Sequence, residues 1–257
     1  MPGLLKEERL HQIIEIARLE GRVIPAEMSR ILGVSEVTIR RDLQYLATKG
    51  ILKRSHGGAL IAKPGGEEPP VIQRLQENRY IKESIGEAAA DLIEDNETVF
   101  IGSGSTPTYV ARNLVARKNL TVVTNGLSIA MELATAKGVT VVVLGGMLRT
   151  SELSLIGHIA EQALNEVRVD KVVMGIPAIS LESGLTNDYL PEVMTDRAII
   201  DMAQQLILVA DHTKFGKVAS AYLAPLSRVS ILVTDAQTDP DTLDRIREMG
   251  IKVILAD

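Results

Sequence analysis

From residue 98 onward the chain repeats one pattern. A short run of Val, Ile and Leu is followed by a stretch with helical spacing, then by another short run. The strand-like runs are Thr98–Ile101, Leu120–Val123, Val139–Leu144, Lys171–Met174, Gln205–Ala210, Val229–Val233 and Lys252–Leu255. Between most of them lie helical stretches such as Tyr109–Leu114, Leu127–Ala134, Met194–Ala203 and Thr242–Met249, and a polar helix over roughly Lys82–Ile93 precedes the first run. Short aliphatic strands alternating with helices dictate an α/β fold with a mostly parallel sheet covered on both faces. In such sheets ligands bind beyond the carboxyl ends of the strands, so function is expected in the residues just after each run.

Those residues are informative. The first run leads into Gly102-Ser103-Gly104-Ser105-Thr106-Pro107. Gly104 allows close backbone approach, Ser103, Ser105 and Thr106 offer hydroxyls, and Pro107 begins a helix whose first N–H groups face the loop. That is a phosphate cradle of backbone donors and a helix dipole. It is neither a Walker A loop nor a G-x-G-x-x-G fingerprint, and a plain strand–helix turn has the same composition. Later strand ends carry Asn125 and Gly126, then Gly145, Gly146 and Arg149, then Asp211 and Lys214. An amide, glycines, an Arg and a Lys converging on one place fit an anionic, polyhydroxylated ligand. Asp211 can bond a sugar hydroxyl or hold Lys214, and Lys214 suits a phosphate or carboxylate as a point charge. For Arg149 and Lys217 a solvated surface position is an equal alternative.

The net charge of -5 hides an asymmetry. Residues 1–63 hold eleven Lys and Arg against seven acids, a balance of +4, which leaves -9 on the remaining 194 residues. A basic unit on an acidic body points to a nucleic-acid module joined to something else. The stretch from Lys63 to Pro70, with three prolines and two glycines, reads as a linker. The expected domains are 1–63, a linker over 64–80, and 81–257.

Within the first unit, Leu10, Ile13, Ile14 and Ala17 share a helical face, and Gly21 ends that helix. A short helix over Ala26–Leu32 starts at Pro25 and stops at Gly33. Ser35 then caps a third helix, with Ile39, Leu43 and Leu46 inward and Glu36, Thr38, Arg40 and Arg41 off that stripe. Gly50 ends it. Ile51–Ile61 follows as two short apolar strands around Gly57-Gly58, a basic hairpin carrying Lys53, Arg54 and His56. This is a helix-turn-helix with a wing, whose capped helix enters the major groove N-terminus first. The alternative is a generic three-helix bundle with a solvated basic face. Ser35, Glu36, Thr38, Arg40 and Arg41 are candidates for groove and phosphate contacts, and Lys53, Arg54 and His56 for backbone or minor-groove contacts. Asp42 either orients a neighbouring arginine or is a solvated charge.

Composition narrows the classes further. With no cysteine, disulfides, thiolate nucleophiles and cysteine-ligated metal or iron–sulfur sites are excluded. Four scattered histidines make no metal site, and none of the motifs calls for a cofactor. Met1–Glu8 lacks the apolar block of a signal peptide, and no apolar run approaches the ~18–20 residues of a membrane span. The expected location is cytoplasmic, with no membrane partner. Seven aromatics (five Tyr, two Phe) disfavour single-strand stacking platforms and leave duplex DNA as the nucleic-acid partner.

The segments Ser35-Glu36-Val37-Thr38-Ile39-Arg40-Arg41-Asp42-Leu43 and Gly50–Ala59 resemble the N-terminal module of the DeoR family of bacterial transcriptional regulators. Phe100–Thr106, Val122–Gly126, Leu144–Gly146, Ser154–Gly157 and Ala210–Gly216 are similar, in order and spacing, to that family's effector domain. The resemblance covers nearly the whole chain. It implies a winged helix-turn-helix joined to a ribose-phosphate isomerase-like domain. It also implies a regulator, mostly a repressor of sugar-use genes, that binds operator DNA as a homodimer or homotetramer under control of a phosphorylated sugar. Two departures stand out: Gly102 replaces an acid that many members carry, and only Arg197 is basic where many carry a basic pair. The competing class is a sugar-phosphate isomerase or deaminase, which needs a positioned carboxylate base. The corresponding segment, Met174–Ile179, has no acid, although Glu182, Asp188 and Glu192 follow nearby.

Overall fold

A computed structural model describes residues 6–20, 22–48, 52–55, 57–61 and 69–257. The chain divides into two units, Met1–Glu67 and Glu68–Asp257. His56, the glycines expected to end the first and third helices (Gly21 and Gly50) and most of the Pro/Gly stretch lie outside the described residues.

The first unit contains α1 (Lys6–Glu20), β1 (Arg22–Val23), α2 (Pro25–Leu32), α3 (Glu36–Thr48), β2 (Leu52–Ser55) and β3 (Gly58–Ile61). Ile13, Ala17, Met28, Ile39, Leu43 and Leu46 meet in one buried cluster, as their spacing requires. The three strands form a small antiparallel sheet in the order β1-β3-β2. Ser55 pairs with Gly58, so Gly58 belongs to the strand and not to the turn. A Cβ there would sit 2.1 Å from the Val23 carbonyl oxygen, which is why the position is glycine.

The second unit begins with a single helical turn, α4 (Val71–Arg74), inside the stretch expected to be linker, followed by α5 (Arg79–Ala90). The strand–helix alternation then gives β4 (Thr98–Ile101), α6 (Ser105–Asn113), β5 (Leu120–Thr124), α7 (Leu127–Leu133) and β6 (Val139–Val143). A hairpin, β7 (Met147–Arg149) and β8 (Ser154–Ile156), leads into α8 (His158–Asn165) and β9 (Lys171–Met174). After β10 (Ala178–Ser180) and β11 (Gly184–Asn187) come α9 (Val193–Met202), β12 (Gln205–Val209), β13 (Ala221–Ala224), β14 (Ile231–Asp235), α10 (Pro240–Glu248) and β15 (Lys252–Ala256).

Seven strands form one parallel sheet in the order β15-β14-β12-β9-β4-β5-β6. Successive residues alternate between its faces. Phe100, Val172, Met174, Leu206, Leu208 and Leu232 enter one buried cluster, while Val99, Ile101, Val173, Ile207, Val209 and Val233 enter the other. The chain winds outward from β4 to β6, returns to β9 on the other side of β4, and winds outward again. The order therefore reverses between β4 and β9, the two strands at the middle of the sheet. A smaller antiparallel sheet, β10-β11-β13, adds a flap beyond it. Among the described residues no helix is long and apolar enough to cross a membrane.

Two of the helices that cover one face of the sheet pack on each other at close range. A Cβ on Gly86 of α5 would lie 2.7 Å from the Tyr109 backbone of α6. Gly86→Val is expected to force α5 and α6 apart and destabilise the second unit by about 1–3 kcal/mol. Chemical denaturation of the variant and the parent measures this; equal midpoints would show that the helix pair yields without strain.

Candidate functional site

In the first unit, the Ser35 Oγ accepts the Thr38 backbone N–H at 3.3 Å and lies 3.0 Å from Thr38 Oγ1. The expected cap is thus formed. Glu36, Arg40 and Arg41 are exposed, off the buried stripe of α3. Arg40 reaches Glu36 across one turn at 3.4 Å, an exposed pair of little energetic weight that DNA can displace. Asp42 does neither of the two things expected of it. It is buried, and the Arg9 guanidinium donates to it in a fork, from Nε at 2.6 Å and from Nη2 at 3.2 Å. That pair ties α1 to α3 and leaves Arg40 and Arg41 on the open face. Lys53 and Arg54 occupy β2, opposite Leu60 and Ala59. A capped helix with an exposed basic first half, beside a hairpin, can dock in a major groove.

In the second unit, a solvent-open cleft lies where the strand order reverses. Its floor is the pair of loops that leave β4 and β9, Gly102–Pro107 and Gly175–Pro177. Gly104 has φ 128 and ψ 161, which only glycine adopts at ease, and this turn aims the start of α6 into the cleft. The first helical N–H groups have no carbonyl one turn back to bond, so those of Ser105 and Thr106 present partial positive charge there. The Ser103 N–H donates to Asn125 Oδ1 at 3.1 Å, which joins the β4 and β5 loops.

Three cations share the cleft with this helix terminus. Lys214 lines the cleft from the turn after β12. Arg74 lines it from α4 and is ion-paired with Glu152. Arg149 lines it from β7, pairs with Glu192, and stacks 4.1 Å from the Tyr189 ring centre. Glu192 also accepts the Ser154 hydroxyl at 2.7 Å. The far wall holds Asn187, Asp188 and Asp196. Asn187 Nδ2 donates to Asp196 Oδ2 at 2.7 Å. Burial, reinforced by the negative charge of Glu192, pushes the Asp196 carboxyl well above the usual carboxylate range. A neutral Asp196 can donate as well as accept a hydrogen bond.

Seven of the expected ligand-binding residues line this cleft: Ser103, Gly104, Ser105, Thr106, Asn125, Arg149 and Lys214. Four do not, and each has a structural task instead. Asp211 is buried and caps the turn that carries Lys214, accepting the Thr213 N–H at 2.9 Å as well as its hydroxyl. Burial raises its pKa, but the Thr213 bonds and Lys214 outweigh that and leave it below the ordinary value. Gly126 packs on Ser103, where a Cβ would lie 3.0 Å from the Ser103 Cα. Gly145 packs against Ile159, and Gly146 turns into β7 at φ 139, close to the Ile156 carbonyl. Arg74, Glu152 and Asn187 are cleft residues that sequence reasoning missed. They are isolated polar residues outside any Gly-rich strand end. His212 Nδ1 lies 2.8 Å from an Asp235 carboxylate oxygen and braces the same turn as Asp211. Among the described residues no group of three or more His, Asp or Glu is placed to share a metal ion.

The raised Asp196 pKa has a testable consequence. The unfolded chain ionises Asp196 near 3.8, while the folded chain holds its proton to higher pH. Stability is therefore lost as pH rises from about 4 through the folded value. Asp196→Asn removes this loss. The melting temperature of the variant is expected to gain on that of the parent as pH rises from 4 toward neutrality; a gap independent of pH would mean that Asp196 is ionised in the fold.

Comparison with known proteins places this geometry in a family. The model of the DeoR-like helix-turn-helix domain matches residues 9–64, and that of the DeoR C terminal sensor domain matches residues 77–236. The glycerol-3-phosphate regulon repressor of Escherichia coli is 34% identical, over 98% of this chain and 100% of its own. Transcriptional repressor AccR of Agrobacterium fabrum is 33% identical, over 90% of each chain. The HTH-type transcriptional regulator GolR of Listeria innocua is 30% identical, over 97% of this chain and 98% of its own. Among solved structures, ribose 5 phosphate isomerase A from Neisseria gonorrhoeae matches 52% of each chain at 18% identity, with a TM-score of 0.39. The two domain matches and the full-length relatives agree: the chain belongs to the DeoR family of transcriptional regulators.

Proposed function

We propose that this chain is a repressor of sugar-metabolism genes whose hold on operator DNA is set by a phosphorylated sugar, and that it has no catalytic task. The observation that carries the reading is the cleft where the strand order reverses. A helix N-terminus, Lys214 and two arginines face it, in a chain whose first unit presents a capped basic helix. The relatives named as repressors support the sign of regulation. Glu36, Thr38, Arg40 and Arg41 contact the major groove and its phosphates, with Ser35 holding the helix start in place. Lys53, Arg54 and His56 contact DNA from the hairpin. Ser105, Thr106 and Lys214 take the phosphate, while Ser103, Asn125, Asn187 and Asp196 take hydroxyls.

Four acids line the cleft, and each has other work. Glu152 pairs with Arg74, Glu192 neutralises Arg149, Asp196 is bonded to Asn187, and an Asp188 oxygen accepts the Ser220 N–H at 3.2 Å. None is held ready as a proton-abstracting base. Turnover of any phosphosugar in an isomerase assay would reverse this part of the reading. A two-fold or larger assembly of the chain pairs the helices with paired half-sites, and sedimentation equilibrium tests it.

The DNA half of the proposal makes a quantitative prediction. Arg40→Ala and Arg41→Ala should each weaken operator binding about tenfold, and each should lower the salt slope by about one if its guanidinium neutralises a phosphate. Fluorescence anisotropy against a duplex selected from random sequence measures both; unchanged affinity and slope in both variants would sink the docking geometry. The sensor half makes another. A thermal-shift screen of phosphorylated sugars should find a ligand that raises the melting temperature of the parent. Lys214→Ala should abolish that ligand's effect on DNA affinity while leaving DNA binding itself intact. An unaltered response would remove Lys214 from the site.

A further inference from the structure

Residues 69–78 begin with the last two prolines of the stretch that joins the two units in sequence, and they are fastened to the cleft. The Val71 N–H donates to the Ser151 carbonyl at 2.7 Å. Arg74 uses Nε to hold the Pro69 carbonyl at 2.8 Å and Nη2 to pair with Glu152. The Arg74 carbonyl is in turn held by the buried ammonium of Lys82 at 2.7 Å. Tyr109 Oη, from α6, donates to the Leu75 carbonyl at 2.8 Å. Arg74 and Glu152 are 7% and 8% exposed, and both line the cleft that the start of α6 and Lys214 line. One guanidinium thus faces the binding site and also carries the backbone that leads out of the domain.

We propose that Arg74 is an anion-binding residue of the cleft and that Glu152 is its built-in competitor. An anion seated at α6 and Lys214 draws the guanidinium from Glu152 and loosens residues 69–74. The inference rests on the phosphosugar reading of the cleft and supplies its route of regulation. A phosphate group accepts a forked guanidinium as well as a carboxylate does and carries more charge. Once Arg74 turns to the anion, Glu152 loses this arginine while still buried, a cost that favours its moving outward. Glu152 is the neighbour of Ser151, the acceptor for Val71, so the exchange pulls at once on the two fastenings that run to the loop between β7 and β8. By linkage, whatever tightens residues 69–74 onto the cleft weakens anion binding by the same factor.

The test is amide hydrogen exchange of the full chain, read by mass spectrometry over residues 71–78, together with melting temperature, both titrated with inorganic phosphate. Phosphate should raise the melting temperature and speed exchange in that segment about tenfold or more. Glu152→Gln should show fast exchange there before phosphate is added and should bind phosphate about tenfold more tightly. Where that variant leaves Arg74 too poorly compensated to fold, the double variant R74Q/E152Q removes both charges. It should fold, bind phosphate more weakly than the parent, and show no phosphate response in residues 71–78. A melting temperature indifferent to phosphate overturns the anion-binding reading and this inference with it. A raised melting temperature with unchanged exchange in residues 71–78, or with parental phosphate affinity in R74Q/E152Q, overturns the exchange of partners alone.

Discussion

Between β4 and β9 no crossover connection covers the carboxyl edge of the sheet, because the chain winds away from these strands in opposite directions. Everything in the sensor cleft follows from that gap. The loops after β4 and β9 can turn toward each other only there, and only there does the first turn of α6 open onto space instead of onto another helix. The close approach of Gly175 to the Pro107 ring, where a Cβ would sit 3.0 Å away, shows how tightly the two loops are packed. The topology thus places backbone donors first, and the side chains are added around them.

Those side chains are arranged as paired charges. Each buried arginine of the cleft is neutralised by an acid, Arg74 by Glu152 and Arg149 by Glu192. A buried pair of this kind contributes little net stability, since desolvation offsets attraction. It does keep two arginines at the cleft with their charge already compensated. The first unit uses the same device for another end. Arg9 and Asp42 are not aimed at DNA; they set the angle between α1 and α3, and with it the direction in which Arg40 and Arg41 are offered.

The sheet was legible in the sequence because short runs such as Lys171–Met174 are apolar on both faces, and a period of that kind has few other solutions. Ser35 was legible because capping is a local bond over three residues. The Gly104 turn was legible because positive φ leaves glycine as the easy choice. What escaped is non-local. Arg74 meets Glu152 across 78 positions and Arg149 meets Glu192 across 43, and no spacing rule joins them. Glu192 is recognisable only as an acid near a missing base, and Asp42 reads as a surface charge until α1 is folded against α3. The β10-β11-β13 flap escaped because its strands are three or four residues long and mix Ser, Thr, Asn and Gly with the apolar positions. Gly126, Gly145 and Gly146 carry the composition of a ligand loop but serve packing and turning, which composition does not separate.

The loop between β7 and β8 is only a few residues long, and nearly every one has a separate duty. Arg149, at the end of β7, and Glu152 both line the cleft; Ser151 receives Val71, and the Leu153 carbonyl accepts the Leu127 N–H at 2.8 Å. In most receptors the part that recognises and the part that relays can drift apart over generations, each tuned without disturbing the other. In the mechanism proposed for this chain they share four consecutive peptide bonds. A change there that admits a new ligand would also reset how firmly residues 69–74 are held, so descendants of this chain would be expected to alter taste and sensitivity together.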